Sequence, residues 1–272
     1  SSLEICKDSG DIRTKKMGYF YADKDNFEDV QQSTGTCGRR HPLTFLLEAA
    51  DDIAYKTADI EDAVKKGCIS YDRLLAELKG FCADRQTDRY RQIVSWLEER
   101  YHKGVERGYS GPDQYAVQNW IISAQGQMIA GVTDCFTEHY GAIMDGTYGK
   151  DMFAGTDVEL LMEALGDIAY RYAFDTRPIL KLEIAAQTIF SFLLDRFVDG
   201  VIPWDTDLAM TQVQRKMVSL ISDNYKKIYS LCSKGRSEEE KLYLRLLLVT
   251  DYICGMTDSY AKDMYQELNG IV

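Results

Sequence analysis

The sequence predicts an all-α fold. Proline, which interrupts helices, occurs only four times in 272 residues. Long stretches carry apolar residues at the three- and four-residue spacing of a helix that buries one face. Hydrophobic residues make up 45% and charged residues 28% of the chain, as in an ordinary globular protein. A chain of this length and composition can bury a sizeable core, so we expect a multi-helix body.

The first elements follow from local signals. The region before Gly38 mixes charges, glycines and aromatics, and we expect a strand or loop at Met17–Tyr21 and a short helix near Asn26–Gln32. A clear helix should begin at Pro42, because proline suits the first helical turn. It should end before Gly67, because glycine readily adopts the left-handed conformation that follows a helix.

Seven helical segments are expected after this helix. The last one has a capping-box start, in which Ser237 is followed by Glu240. The connections contain turn residues rather than a flexible linker, which favours one continuous body. The expected segments are Ser70–Lys79, Thr87–Lys103, Pro112–Tyr140, Asp157–Ala173, Arg177–Asp199, Asp207–Cys232 and Glu238–Leu268.

Charge and cysteine usage exclude several classes of protein. The net charge of -11 argues against a protein that coats nucleic acid, although a local basic pocket remains compatible with it. The seven cysteines are scattered, form no C-x-x-C pair and are odd in number. They argue against a disulfide framework or a zinc knuckle and favour a reducing cytoplasm. No apolar run reaches transmembrane length, and the start at Ser1 is not a signal peptide.

The helix that begins at Pro42 carries the most informative side chains. Asp51, Tyr55 and Asp59 are spaced four residues apart, so they drift only about 40° per step and share one helical face. A carboxylate on this face could hold a divalent cation, and the tyrosine and second aspartate could contact a ligand lying along the helix. The alternative is a buried helix with a capped or salt-bridged aspartate and a core tyrosine, and spacing alone does not decide between the two.

Three stretches resemble the deoxyguanosinetriphosphate triphosphohydrolases of the HD-domain phosphohydrolase superfamily. The first runs from Arg40 through the aspartate pair to Ala63, and the second from Asp251 to Ala261. The third and weaker one is Lys15–Phe20. Their order and rough spacing also fit, so the resemblance spans nearly the whole chain. It implies an HD-type helical fold, of which this chain would be the C-terminal portion.

The resemblance also implies roles for individual residues. Asp51 matches the last metal ligand of the family, while Tyr55 and Asp59 match residues expected beside the deoxyribose. Lys16 matches a lysine expected on the triphosphate, with a solvated loop charge as the alternative. Glu183 and Arg215 match positions that are expected near the base or a neighbouring subunit. A surface salt bridge is the alternative for each of them.

The His-Asp pair that names the superfamily is absent from this sequence. The three histidines are His41, His102 and His139, and none precedes an aspartate, so each is expected to be structural or exposed. No catalytic group is therefore assigned here. The resemblance places the catalytic groups and the other ligands of the expected Mg²⁺ or Mn²⁺ in an N-terminal half that should precede Ser1. One carboxylate rarely holds such a cation firmly, so this fragment alone should be inactive.

The expected activity of the intact protein is hydrolysis of dGTP, or of another dNTP, to the deoxynucleoside and inorganic triphosphate. Residues 1–38 would form a substrate-loop leader segment and residues 39–272 the helical portion. The resemblance implies a homo-oligomer regulated by a nucleotide or single-stranded DNA, while the cysteine usage and the lack of a long apolar run favour a cytoplasmic protein with no membrane partner. Two alternatives stay open: a non-catalytic helical module for nucleotide binding or oligomerisation, and an HD phosphohydrolase acting on another phosphate ester.

Overall fold

The computed structural model describes residues 12–13 and 19–271 of the chain, and every regular element in these residues is a helix. The predicted all-α fold is confirmed. The chain forms two compact units, residues 1–176 and 177–272. The sequence-based expectation of one body from residue 39 onward did not include this division, since no linker composition marks the junction.

The first unit contains seven α-helices, with a 3₁₀ turn at Tyr21–Asp23 and a π-helical turn at Tyr170–Phe174. The short helix expected near Asn26–Gln32 is present as α1, with bounds two residues wider at each end. The helices of this unit are α1 (Lys24–Thr34), α2 (Pro42–Lys65), α3 (Tyr71–Gly80), α4 (Asp88–Glu106), α5 (Pro112–Glu138), α6 (Tyr140–Met144) and α7 (Glu159–Ala169).

Helix α2 is held between α5 and α7 in the first unit. On one side, Gln125 Nε2 of α5 donates a hydrogen bond of 2.8 Å to the buried Thr57 Oγ1. On the other side, Lys56 Nζ reaches the carbonyl oxygen of Met162 in α7 at 3.5 Å. Helix α5 is anchored in turn to α4, because Trp120 Nε1 donates to the carbonyl of Ile93 at 2.8 Å. Buried side chains of α2, led by Phe45, Ile53 and Ile60, therefore fix which face of α2 stays open.

In the second unit, three of the four shorter helices pack against a long one, and the remaining one, at Asp223–Cys232, packs against the helix at Glu238–Cys254. Leu193, Phe197 and Val201 of α8 are fully buried there, together with Val249 of α11. The segment expected from Asp207 to Cys232 is two helices, and so is the one expected from Glu238 to Leu268. Their breaks lie where Ser222 and Thr257 occupy N-cap positions. The helices are α8 (Arg177–Val201), α9 (Gln212–Leu220), α10 (Asp223–Cys232), α11 (Glu238–Cys254) and α12 (Asp258–Leu268).

Candidate functional site

Asp51 and Tyr55 project from the open face of α2. Both side chains are exposed, Tyr55 to 65%, while Asp59 is half-buried one turn further along. Each four-residue step advances about 6 Å along the helix, so the three polar groups follow one another in a row. Within the described residues, no hydrogen bond or ion pair engages any of the three. Within the described residues, Tyr55 is therefore not part of the core and Asp51 forms no salt bridge.

The surroundings of this row are small or apolar. Ala50, Ala54 and Ala58 are exposed next to it, so another segment or a ligand can approach the backbone of α2 closely. Earlier on the same face, Leu43 and Leu47 are 63% and 70% exposed. These leucines extend the open face of α2 towards its N-terminal end.

Asp52, the immediate neighbour of Asp51, lies in a different environment. It is half-buried, and burial is the main cause that raises the pKa of its carboxyl group. Negative charges on Asp151, Asp51 and Glu48 raise this pKa further, while Lys56 opposes them. The sequence pattern singled out no role for Asp52, because its interaction with Asp151 joins positions far apart in the chain.

The pKa of Asp59 is also raised. Burial is again the main cause, and the negative charge of Asp62 adds to it, while Lys66 opposes the shift. Carboxyl groups with perturbed pKa values are frequent at functional sites, but they also occur in structural networks. Asp59 is therefore half-buried, and its carboxylate forms no ion pair with any side chain that the structure describes.

Two charged residues of the matched motif have a structural task. Arg40 forms an ion pair with Glu48 through its Nη2 atom, and both side chains are largely buried. Its Nη1 atom donates to the carbonyl of Ile12 at 2.7 Å, and the guanidinium lies 4.9 Å from the ring centre of Phe45. These contacts anchor the first turns of α2 and so set the direction of the helix that presents Asp51.

The three histidines occupy capping or surface positions, in line with their expected structural roles. His41 is the N-cap of α2, where its Nδ1 accepts a hydrogen bond of 3.2 Å from the backbone N–H of Leu43. His102 is exposed on α4. His139 lies between α5 and α6, with its ring edge-on to that of Tyr148 at 4.9 Å.

Asp51 fits a hard divalent cation as one ligand, because its carboxylate is exposed and unpartnered. Among the residues that the structure describes, no group of three or more His, Cys, Asp or Glu side chains could hold a metal ion. A cation at Asp51 would therefore need ligands from outside these residues. Lys16, the expected triphosphate contact, lies outside the described residues.

Glu183 and Arg215 both lie in the second unit and do not form one site there. Glu183 is exposed near the start of α8, and Arg215 is exposed on α9. Helix α9 packs at the other end of α8, where Gln214 Nε2 donates to the carbonyl of Asp199 at 3.2 Å. Sixteen residues of helix between Glu183 and Asp199 correspond to about 24 Å along the axis. Their expected contacts with a base or a neighbouring subunit stay predictions.

The stretch from Asp251 to Ala261 forms the turn between α11 and α12. The side chain of Thr257 accepts a hydrogen bond from the N–H of Tyr260, which starts α12. The buried Tyr252 donates to the carbonyl of Leu220 at 3.0 Å, and burial raises its pKa. A Cβ on Gly255 would lie 2.6 Å from the hydroxyl of Tyr225, so a larger residue there would have to displace the Tyr225 side chain. This stretch therefore locks the last helices together.

No helix in the described part of the chain is long and apolar enough to cross a membrane. The cysteines that the structure describes, six of the seven, are all free thiols.

Comparison with known proteins identifies relatives along the whole chain. No protein-family model matches the sequence. A deoxyguanosinetriphosphate triphosphohydrolase-like protein of Listeria monocytogenes is 41% identical over 274 residues, which cover 100% of this chain and 57% of the relative. A deoxyguanosinetriphosphate triphosphohydrolase of Yersinia enterocolitica is 26% identical over 96% of this chain and 56% of its own length. A triphosphohydrolase-like protein of Synechocystis is 25% identical, with 94% and 53% coverage.

The chain thus spans little more than half the length of these relatives. The resemblance predicted from the sequence motifs is confirmed, because the match includes every residue of the chain. Over its full length, this chain is similar in sequence to proteins named deoxyguanosinetriphosphate triphosphohydrolase or deoxyguanosinetriphosphate triphosphohydrolase-like.

Proposed function

We propose that this chain is the C-terminal portion of a metal-dependent dNTP triphosphohydrolase, which converts dGTP or another dNTP to the deoxynucleoside and inorganic triphosphate. The observation that carries the proposal is the row of Asp51, Tyr55 and Asp59 on the open face of α2, in which Asp51 and Tyr55 are exposed and none of the three has a partner among the described residues. The similarity of the whole chain to proteins named for this reaction supports it.

Asp51 would complete the coordination of Mg²⁺ or Mn²⁺. The cation would supply Lewis-acid polarisation of the α-phosphate and a more acidic bound water. The structural support is the position of the carboxylate, which lies exposed beside alanines that leave room for further ligands. These ligands and the catalytic groups would come from residues outside this chain, preceding it in the intact protein, so the chain alone should not turn over substrate.

Tyr55 and Asp59 would seat the deoxyribose. The ring of Tyr55, which is 65% exposed, would pack against C2′ and leave little space for a 2′-hydroxyl group. The Asp59 carboxylate would accept a hydrogen bond from the 3′-hydroxyl. Lys16 would offset part of the triphosphate charge, which matters in a chain with a net charge of -11. The wider proposal includes a cytoplasmic homo-oligomer that a nucleotide or single-stranded DNA regulates.

The proposal is tested by triphosphate release from dGTP with Mn²⁺, measured for the intact polypeptide of the relatives' length, for this chain, and for two variants of the intact form. Asp51→Ala should lower kcat by at least about 100-fold because it removes a metal ligand. Asp84→Ala is the control, since Asp84 is exposed in the turn between α3 and α4 and its side chain forms no hydrogen bond or ion pair within the described residues. Equal activity of Asp51→Ala and wild type, or turnover by this chain alone, would overturn the assignment of Asp51.

The sugar contact is tested by the ratio of kcat/KM for dGTP and GTP. Tyr55→Ala should lower this ratio about 10-fold, because the space that excludes a 2′-hydroxyl would open. Tyr55→Phe keeps the ring and should keep the ratio. An unchanged ratio in Tyr55→Ala would place the sugar elsewhere.

A further inference from the structure

A cleft with three tyrosine rings in its wall lies in the second unit, at the turn between α11 and α12. Its volume is about 330 Å³, which is enough to hold a small molecule. The cleft belongs to the stretch from Asp251 to Ala261, to which the proposed hydrolysis gives no role. The residues that line it are Tyr225, Tyr252, Gly255, Met256, Thr257 and Tyr260.

Two of the three rings stand nearly perpendicular to each other. The rings of Tyr225 and Tyr252 have centres 5.7 Å apart and planes inclined by 76°. Tyr252 is buried and fixed, because its hydroxyl donates a hydrogen bond of 3.0 Å to the carbonyl of Leu220. Burial and the neighbouring hydroxyl of Tyr260 raise the pKa of Tyr252, so this ring stays neutral. The third ring, Tyr260, is 49% exposed and therefore accessible to a ligand.

The cleft offers few free hydrogen-bonding groups. The side chain of Thr257 already accepts a hydrogen bond from the backbone N–H of Tyr260, and the hydroxyl of Tyr252 is engaged by Leu220. In the described part of the chain, no charged side chain lines the cleft. A ligand group that depends on hydrogen bonds or on a direct ion pair therefore gains little here. The ring faces are the main contact surface, and ring faces attract cations.

The surrounding electrostatics also favour a cation. Gly255, in the wall of the cleft, is the C-cap of α11, and the last carbonyl groups of this helix of 17 residues carry a partial negative charge. The positive end of α12 begins beside it, but the Thr257 cap and the acidic Asp258 in the first turn offset that end. The net charge of -11 adds a long-range attraction for cations.

We propose that this cleft binds the methylated ammonium group of a small molecule of the choline type. A quaternary ammonium needs no hydrogen-bond acceptor, and it is large enough to contact several rings at once. The thioether of Met256 adds a polarisable contact to the methyl groups. A nucleobase would also stack on tyrosine, but most of the polar groups that its edges require are already engaged. The inference is independent of the proposed hydrolysis, since its readout is ligand binding and not turnover.

The first test compares choline with its uncharged isostere dimethylbutanol, in which carbon replaces the charged nitrogen. Both are titrated into this chain by calorimetry or NMR. Choline should bind with a dissociation constant of about 1 mM or lower, and the isostere at least about 10-fold more weakly, because it loses the attraction to the rings. Equal affinities, or no saturable binding of choline, would overturn the proposal. So would competition by dGTP, which would assign the cleft to a nucleotide.

The second test removes one ring from the cleft. Tyr260→Ala should weaken choline binding at least about 5-fold, whereas Tyr260→Phe keeps the ring and should stay within about 2-fold of wild type. Tyr170→Ala is the control, because Tyr170 is 61% exposed and lies outside the cleft. Circular dichroism checks that the variants fold. Choline binding that Tyr260→Ala leaves unchanged would show that the tyrosine cleft is not its site.

The third test distinguishes a free ligand from a lipid headgroup of the same chemistry. Sedimentation with phosphatidylcholine vesicles should leave this chain in the supernatant, as should phosphatidylglycerol vesicles. Co-sedimentation with phosphatidylcholine alone, abolished in Tyr260→Ala, would place the methylated ammonium on a lipid and overturn the small-molecule ligand.

Discussion

At the scale of single residues, the adjacent aspartates of α2 differ in what they can do. Neighbouring positions on a helix point about 100° apart, so Asp51 faces outward while Asp52 turns towards Asp151 and Glu48. An exposed, unpartnered carboxylate can bind a cation at little cost to the fold. A half-buried one among other acids lowers the stability of the fold when it is charged.

The raised pKa of Asp52 has a defined consequence for stability. Because folding favours the protonated carboxyl, its contribution to stability is fully present below the unfolded pKa, near 3.8, and is lost as pH rises through the higher folded value. At neutral pH the charged side chain therefore destabilises the chain, by an amount that solvent screening reduces because Asp52 is only partly buried.

We predict that Asp52→Asn raises the Tm of this chain at pH 7 by about 1–2 °C, since it removes the charge and keeps the shape. The gain should shrink towards pH 4, where the wild-type carboxyl is also neutral. Thermal unfolding followed by circular dichroism at both pH values measures the difference. Asp51→Asn, on the exposed neighbour, is the control and should leave Tm unchanged. A lower Tm of Asp52→Asn at pH 7 would mean that attraction to Lys56 outweighs burial and repulsion.

The sequence predicted part of this site for a clear physical reason. The spacing of Asp51, Tyr55 and Asp59 fixes their shared face once the segment is helical, and no tertiary information is needed. Whether that face is open depends on α5 and α7, so spacing could not distinguish an exposed Tyr55 from a buried one. The environment of Asp52 was beyond prediction for the same reason, because Asp151 belongs to a distant loop.

At the scale of secondary structure, local capping signals predicted helix starts better than helix breaks. Ser237 and Glu240 form the expected capping box, and Gly67 has the expected positive φ of 72°. The break between α11 and α12 was missed because residues on both sides of it form helix. The structure places the break just before Thr257, whose side chain accepts a hydrogen bond from the N–H of Tyr260 and so starts α12.

Two glycines of α5 show how packing overrides helix propensity. Gly126 has open space around its missing side chain, with no heavy atom within 4 Å of a Cβ placed there. At Gly131, a Cβ would lie 2.8 Å from a methyl carbon of Val158, which is buried in front of α7. The buried, branched side chain of Val158 cannot move aside easily. Gly131 therefore permits the segment before α7, which carries Val158, to pack closely on α5.

We therefore predict opposite effects for the same substitution in one helix. Gly126→Ala should raise the free energy of unfolding by about 0.5–1 kcal/mol, because alanine favours helix over glycine. Gly131→Ala should lower it by about 1–3 kcal/mol, because overpacking against Val158 exceeds that gain. Urea denaturation of both variants gives the values. If Gly131→Ala instead raises the free energy of unfolding, Val158 can move aside. In that case, adding Val158→Ala to the Gly131→Ala variant should not raise the free energy of unfolding further.

At the scale of the whole molecule, the two compact units have separate hydrophobic cores. The core of the first unit includes Phe45, Trp120 and Leu161, and every buried member of it precedes Thr176. The core of the second unit begins at Leu193. A unit whose buried residues all come from its own segment has the usual attribute of an independently folding domain.

The last prediction is that residues 1–176 fold without the second unit. This shortened chain should keep a helical circular dichroism spectrum and a single cooperative urea transition, because all core partners of α2 are retained. A chain ending at Val158 is the control: it lacks α7, whose Leu161, Leu165 and Ile168 are almost fully buried, and should lose the cooperative transition. If residues 1–176 unfold without cooperativity, the first unit depends on the second for its stability. If they fold, the face that carries Asp51 can be titrated with Mn²⁺ and nucleotide in the smallest chain that presents it.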